Sequence, residues 1–225
     1  MPGIIISVIL SALIAYLWGS IPTGYWMGKI LRGKDFDIRD HGSKKIGATN
    51  VQRTLGNGPA AIVFLVDLSK GVGPTLLALL VPALNAGGWG PPIAGILALL
   101  GHCYPVFIGF KGGRGVLTGG GALLVISPTI FLICLIVTAG TIILSRYVSL
   151  GSVLGSACTI ICGITFLLIS QGNPHFFAHV TIQQLLFLIF SPALVIIFHA
   201  DNIKRLLSGT ERKLGQKVDT TPNAN

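Results

Sequence analysis

Charge is scarce in this sequence. Charged residues are 10% of 225, and only seven are acidic against 16 Lys and Arg. An ordinary soluble domain carries about a quarter charged residues, so that class is excluded. Cysteine is scarce too. Cys103, Cys134, Cys158 and Cys162 all lie in apolar runs, and no two form a CxxC pair. Cys158 and Cys162 share a helix face at i,i+4, but no His or carboxylate stands near them. Small buried thiols are expected, with no disulfide and no metal. GxxxxGK[ST], GxSxG and HExxH are all absent. A Walker loop, a nucleophile-elbow hydrolase and a zinc protease are therefore unsupported.

What the chain has is oil. Hydrophobic residues make up 52%, and mean hydropathy is +0.79. Apolar runs near twenty residues recur from end to end, the length needed to cross a bilayer as helix. They are continuous and do not alternate with period two, which excludes a β-barrel, and open strands have no place in lipid. The expected fold is all-α: a polytopic membrane helix bundle forming a single domain over residues 1–217, followed by a polar tail, 218–225. The first run lacks a basic leader and ends in GSIPTGYW, not in a small-residue cleavage site. It reads as a retained span.

Seven spans are expected: 4–26, 60–81, 93–110, 116–126, 129–145, 152–170 and 181–199. The fourth and fifth are the awkward pair. Residues 116–145 as one helix reach roughly 45 Å, short of the roughly 60 Å of two crossings. Ser127-Pro128 is a natural break in that run. Lys111 and Arg114 precede it and Arg146 follows it, so an even number of crossings is required if both ends are cytoplasmic. With these spans every Lys and Arg except Lys70 falls on one side. The positive-inside rule then puts the amino terminus outside and the carboxyl terminus in the cytoplasm. The cations sit in short segments between apolar runs, so the net charge of +9 marks membrane topology and not nucleic-acid binding. Asp67 and Lys70, three apart within span two, are expected to pair with each other.

Four polar islands share the basic side: residues 42–53, 110–115, 146–152 and 199–211. The first two combine glycine with cations. Glycine lets backbone N–H groups approach an oxyanion, and Lys, Arg, Ser, Thr and Asn add directed donors. Asn50, Gly112 and Gly113 are candidate donors of this kind. KGGRG also opens the next helix, whose N-terminal dipole favours an anion. In the last island His199 and Asn202 share a face at i,i+3. Together the islands predict a phosphate site at the bilayer edge.

The islands also resemble a known family. GSIPTGY, DIRDHGSKKIGATNVQRTLG, GHCYPVFIGFKGGRGV, SRYVSLGS and HADNIKRLLSGTE stand in the order and spacing of the bacterial acyl-phosphate-dependent glycerol-3-phosphate acyltransferase, the PlsY family. That resemblance covers nearly the whole chain. It implies acyl transfer from acyl phosphate to the 1-hydroxyl of glycerol 3-phosphate, giving lysophosphatidic acid and phosphate. It implies seven spans in the plasma (inner) membrane and a cytoplasmic site, with no cofactor, metal, acyl-CoA or carrier protein. The implied partners are glycerol 3-phosphate, acyl phosphate and membrane lipid. The soluble enzyme that makes acyl phosphate is a further candidate.

By the same resemblance Ser43, Arg53, Arg114 and Ser149 match phosphate-binding positions. His199 and Asn202 match the HxxN of the last motif, here given the catalytic role. Two departures are visible. Lys44 and Lys45 follow Ser43 where the family commonly has GSGN, and Arg114 replaces a lysine, exchanging a point charge for a planar fork.

Two rival functions fit the residues less well. A transporter for a phosphorylated or organic anion places its polar groups near the midplane and often shows inverted repeats; here the charges sit at one face and no repeat is visible. A metal-dependent head-group phosphotransferase needs clustered aspartates, and Asp67 alone is intramembrane. The HxxxxD of acyl-CoA- or carrier-dependent acyltransferases is missing, because no histidine has Asp five residues on.

Overall fold

The computed structural model describes residues 2–173 and 175–216. The tail 218–225, and the expected domain end at Lys217, lie outside the described residues. Within them there are helices and turns and no strand. The helices are α1 (Pro2–Gly19), α2 (Thr23–Arg32), α3 (Ala48–Leu55), α4 (Asn57–Leu80), α5 (Pro82–Asn85), α6 (Gly90–Cys103), α7 (Val116–Ile126), α8 (Pro128–Ser145), α9 (Val148–Gly172), α10 (Ile182–Phe198) and α11 (Ala200–Leu207). The protein is an all-α, multi-pass membrane bundle.

Among the described residues, five stretches are long and apolar enough to cross a bilayer: Gly3–Arg32, Asn57–Leu80, Gly90–Ile108, Pro128–Ser145 and Val148–Gly172. The pair α10 and α11, bent by 57°, adds a sixth if read as one span. α7 has 11 residues and reaches roughly 16 Å, about half a crossing.

Local chemistry explains where the runs break. The ring of Pro128 disfavours helix at the residue before it. Ser127 accordingly leaves the helical region (φ −149°, ψ 85°), ending α7, and Pro128 opens α8. The first expected span, 4–26, is divided instead: α1 stops at Gly19 and α2 starts after Pro22. The expected loop 146–151 shrinks to two residues. Arg146 turns left-handed (φ 64°) and ends α8, and the Gly151 amide already bonds back to Tyr147 O at 3.2 Å. Ser149 therefore sits on the first turn of α9.

Small residues bring the helices together. A Cβ on Gly71 would strike Thr118 O, and one on Gly121 would strike Leu68 O, so α4 and α7 touch through their backbones. Thr118 Oγ1 also donates to Asp67 O at 3.0 Å. α1 packs on α6, α10 bridges α6 and α9, and α8 packs on α9. Ala122, Ile130, Phe187 and Leu188 are buried in the main core cluster. Ile5, Ile9 and Leu13 on α1, with Ile136, Ile143 and Leu144 on α8, are exposed and form the apolar surface that hydrocarbon covers. Inside the bundle Lys70 Nζ lies 2.5 Å from Asp67 Oδ1, the expected ion pair.

Candidate active site

Where the basic segments meet, the helices surround a cavity of about 570 Å³. Each island sends residues into its wall. The 43–53 segment gives Ser43, Lys45, Asn50 and Arg53; the turn before α7 gives Arg114. The first turn of α9 gives Ser149, the α10–α11 bend gives His199 and Asn202, and the chain after α11 gives Glu211. Deeper along the helices the wall is apolar, with Leu123 of α7, Phe131 and Leu135 of α8, and Phe187 of α10. One cavity thus has a polar, cationic end and an oily end.

The first island is not the open loop its composition predicts. Residues Ala48–Leu55 are helical, burying Asn50, Val51 and Thr54 against the bundle. Arg53 follows Asn50 by three residues and so shares its side of α3. The Asn50 amide is fully used. Its Nδ2 donates to Ile38 O, His41 O and Lys45 O at 3.2, 3.1 and 2.8 Å. Its Oδ1 accepts from the Ser43 amide at 2.8 Å. Asn50 therefore shapes the loop and has no donor left over for a ligand. What it positions is Ser43, whose hydroxyl has no partner among the described residues.

Gly112 and Gly113 also take a different part from the one expected. They line a second pocket. Their amides donate to Cys103 O and His102 O, each at 3.1 Å, so these N–H groups are not aimed at an anion. A side chain at Gly113 would run into the His102 ring, and one at Gly112 into His102 O. Glycine lets the turn lie flat on α6, which sets Arg114 over the cavity. His102 itself is buried, 3.7 Å from Asp67 Oδ1 through Nδ1.

Arg53 and Arg114 dominate the electrostatics. Burial pushes both guanidinium groups below their ordinary value; for Arg114, with Arg205 repelling it as well, the value is about 10. Both stay charged at neutral pH. The Nε of each is buried with no hydrogen-bond partner among the described residues. Buried donors are normally paired, so these two are donors set for an anion.

Glu211 was not anticipated. Its Oε1 accepts from Ser149 Oγ at 2.9 Å and Asn202 Nδ2 at 2.7 Å. Its Oε2 accepts from Arg205 Nε at 2.7 Å. Burial raises its pKa, but these hydrogen bonds outweigh burial and hold the carboxyl below its ordinary value. The Ser149 hydrogen is therefore committed to Glu211, not to a ligand. Glu211 closes the fourth polar island and the HADNIKRLLSGTE motif, but nothing local to it shows that its partners lie on α9 and α11.

His199 is 3% exposed. Its Nδ1 lies 2.7 Å from Val195 O. A carbonyl only accepts, so Nδ1 carries the hydrogen and Nε2 of the neutral ring is the acceptor. Ser43, Asn50, Arg53, Arg114, Ser149, His199 and Asn202 thus share one cavity, and Gly112 and Gly113 stand behind it.

Known proteins are similar to this chain over nearly its whole length. The family described as glycerol-3-phosphate acyltransferase matches residues 9–209. A glycerol-3-phosphate acyltransferase of Thermoanaerobacter sp. (strain X514) is 43% identical over 211 residues, 94% of this chain and 98% of that protein. One from Clostridioides difficile (strain 630) is 42% identical over 219 residues, 96% of this chain and 99% of that protein. Among solved structures, the glycerol 3-phosphate form of PlsY (YgiH), an integral membrane glycerol 3-phosphate acyltransferase, superposes with a TM-score of 0.79. It is 35% identical, covering 93% of this chain and 96% of that one. Its lysophosphatidic acid form gives 0.76 at 34% identity, with the same coverage.

Proposed function

The chain belongs to the glycerol-3-phosphate acyltransferase family, and we propose that it acylates the 1-hydroxyl of glycerol 3-phosphate with acyl phosphate as donor. The products are 1-acylglycerol 3-phosphate and inorganic phosphate. The observation that carries this reading is the single cavity joining unpaired buried arginine donors to an apolar channel. Such a shape suits a substrate that is an anion at one end and a hydrocarbon chain at the other.

The donor is already activated, because phosphate is a good leaving group. The site needs to hold two anions, bring hydroxyl and carbonyl together, and stabilise charge as it develops. In the proposed step the hydroxyl oxygen bonds to the acyl carbon and the bond from that carbon to the phosphate oxygen breaks. The hydroxyl proton passes to an oxygen of the leaving phosphate. Arg53, Arg114 and Ser43 take the phosphate groups. His199, held by Val195, accepts the hydroxyl hydrogen bond through Nε2 and relays that proton to the phosphate oxygen as the bond to the acyl carbon forms. Ser149 and Asn202 act through Glu211 to fix the wall facing them. The acyl chain lies between α7, α8 and α10. No metal or cofactor enters this scheme.

The charge asymmetry supports a bacterial plasma membrane protein with seven spans, amino terminus outside, and the site facing the cytoplasm. Residues 1–217 make up the single catalytic domain in this reading. Glycerol 3-phosphate comes from the aqueous side and acyl phosphate lies in the membrane, supplied by the soluble enzyme that makes it.

Donor competition tests the proposal. Purified protein is offered acyl phosphate, acyl-CoA and acyl carrier protein separately with glycerol 3-phosphate. Turnover with acyl phosphate alone supports it. Turnover with either thioester and none with acyl phosphate overturns the donor assignment.

A further inference from the structure

Beside the catalytic cavity lies a second pocket of about 440 Å³. Lys45 lines both, so the two share a wall. Lys44 and Lys111 complete its basic side. None of these three lysines forms an ion pair among the described residues. Of the two acids in the wall, Asp37 is taken by Arg39, with Nη2 to Oδ2 at 2.6 Å. Among the described residues Asp40 is the only other acid there, so three lysines face one carboxylate.

The backbone adds a second observation. Lys44 has φ 56°, in the left-handed region. Side chains are disfavoured there and glycine is not. The turn is nevertheless tightly made: the Lys44 amide donates to His41 O at 3.0 Å, and Asn50 closes the loop on either side of it. A glycine would satisfy this backbone with less strain. What lysine adds at this position is its charge over the pocket.

We propose that the second pocket binds a phosphate group, acting as an antechamber to the catalytic cavity. Glycerol 3-phosphate is held there before it passes Lys45 to reach Arg53 and Arg114, and released inorganic phosphate leaves by the same route. The assignment rests on the acyl-transfer reading for its substrate, while the phosphate site itself does not. The phosphate belongs to a soluble monoester in this proposal. A lipid headgroup offers the same chemistry, and the apolar rim of Tyr104 and Phe110 makes that source worth separating.

The test counts phosphate directly. Equilibrium dialysis of detergent-solubilised protein with radiolabelled inorganic phosphate is expected to give two sites in wild type. One site is expected in the double variant Lys44→Gly, Lys111→Gln, which leaves Lys45 of the shared wall in place, and one in Arg53→Ala with Arg114→Ala. Lys44→Gly relieves the left-handed strain, and the melting temperature confirms that the double variant folds. Equal stoichiometry in wild type and the lysine variant overturns the antechamber, whether or not acyl transfer is observed.

Kinetics in phosphatidylcholine vesicles supply the second readout. The lysine variant is expected to keep kcat within about two-fold, while KM for glycerol 3-phosphate rises about three- to ten-fold and loses much of its salt dependence. An unchanged KM and an unchanged salt slope contradict the proposal. Replacing part of the vesicle lipid with phosphatidylglycerol separates the sources. Loss of the second phosphate site in wild type assigns the pocket to headgroups and overturns the soluble route; its persistence supports that route.

Discussion

Ser149 on the first turn of α9 and Asn202 on α11 donate to the same atom, Glu211 Oε1, at 2.9 and 2.7 Å. With Arg205 on the other oxygen, Glu211 ties the chain after α11 across the mouth of the cavity. Hydrogen bonds to a charged acceptor are stronger than neutral ones. We therefore expect Glu211→Gln to lower stability by about 2–3 kcal/mol, read as a fall in melting temperature in detergent.

The same carboxyl gives a pH dependence. Its folded pKa lies below its ordinary 4.5, so folding favours the ionised form. That stability is fully present above about pH 4.5 and is lost as pH falls through the lower folded value. Melting temperature should drop in acid for wild type and drop less steeply for Glu211→Gln. Parallel acid limbs in the two proteins would show that Glu211 does not carry the effect.

Arg53→Ala and Arg114→Ala each remove a buried cationic donor from the cationic end of the cavity. Each is expected to reduce kcat/KM by about 10²–10³-fold, the usual effect of removing one donor to a reacting oxyanion. Arg114 loses its proton near pH 10. Wild-type kcat/KM, which reports the free enzyme, should therefore decline towards that pH. The limb should be absent in Arg114→Ala, whose residual activity is measured over the same range.

His199→Gln keeps a polar side chain but not the imidazole acceptor that the Val195 contact leaves facing the reaction. Turnover should fall by roughly 10²-fold with little change in KM, as befits general acid–base or orienting help. Full turnover in this variant would remove the histidine from the proposed step.

The buried pair Asp67–Lys70 predicts a stability cycle. Lys70 is fully buried and Asp67 is 2% exposed. Replacing one partner leaves an uncompensated charge, which costs about 3–5 kcal/mol. Asp67→Asn and Lys70→Met should each destabilise strongly, and the double variant should recover much of the loss. Additive losses in the melting temperatures would show that the two side chains act independently.

The membrane class, the helix at every long apolar run and the break at Ser127-Pro128 were legible because they follow from continuous hydropathy and one proline clash. The meeting of Arg53, Arg114, Ser149 and His199 was legible from charge on one side and from the family motifs that carry these residues. No local pattern says which donor is free and which is spent. Asn50 and Gly113 look like ligand donors in sequence, yet their hydrogen bonds close the loop and the turn that carry Ser43 and Arg114. α3 was hidden because ATNVQRTL is polar and its buried face includes Asn50 and Thr54, not an apolar stripe. Glu211 was hidden because its partners come from α9 and α11, which only tertiary structure brings together.

Purified protein supplied with acyl phosphate and glycerol 3-phosphate, with both products counted, tests most directly whether one cavity joins an anion to an acyl chain for transfer. Inorganic phosphate and 1-acylglycerol 3-phosphate are expected in equal amounts, each dependent on glycerol 3-phosphate. Phosphate release that ignores glycerol 3-phosphate, or glycerol 3-phosphate crossing a liposome with no acylated product, would contradict that transfer.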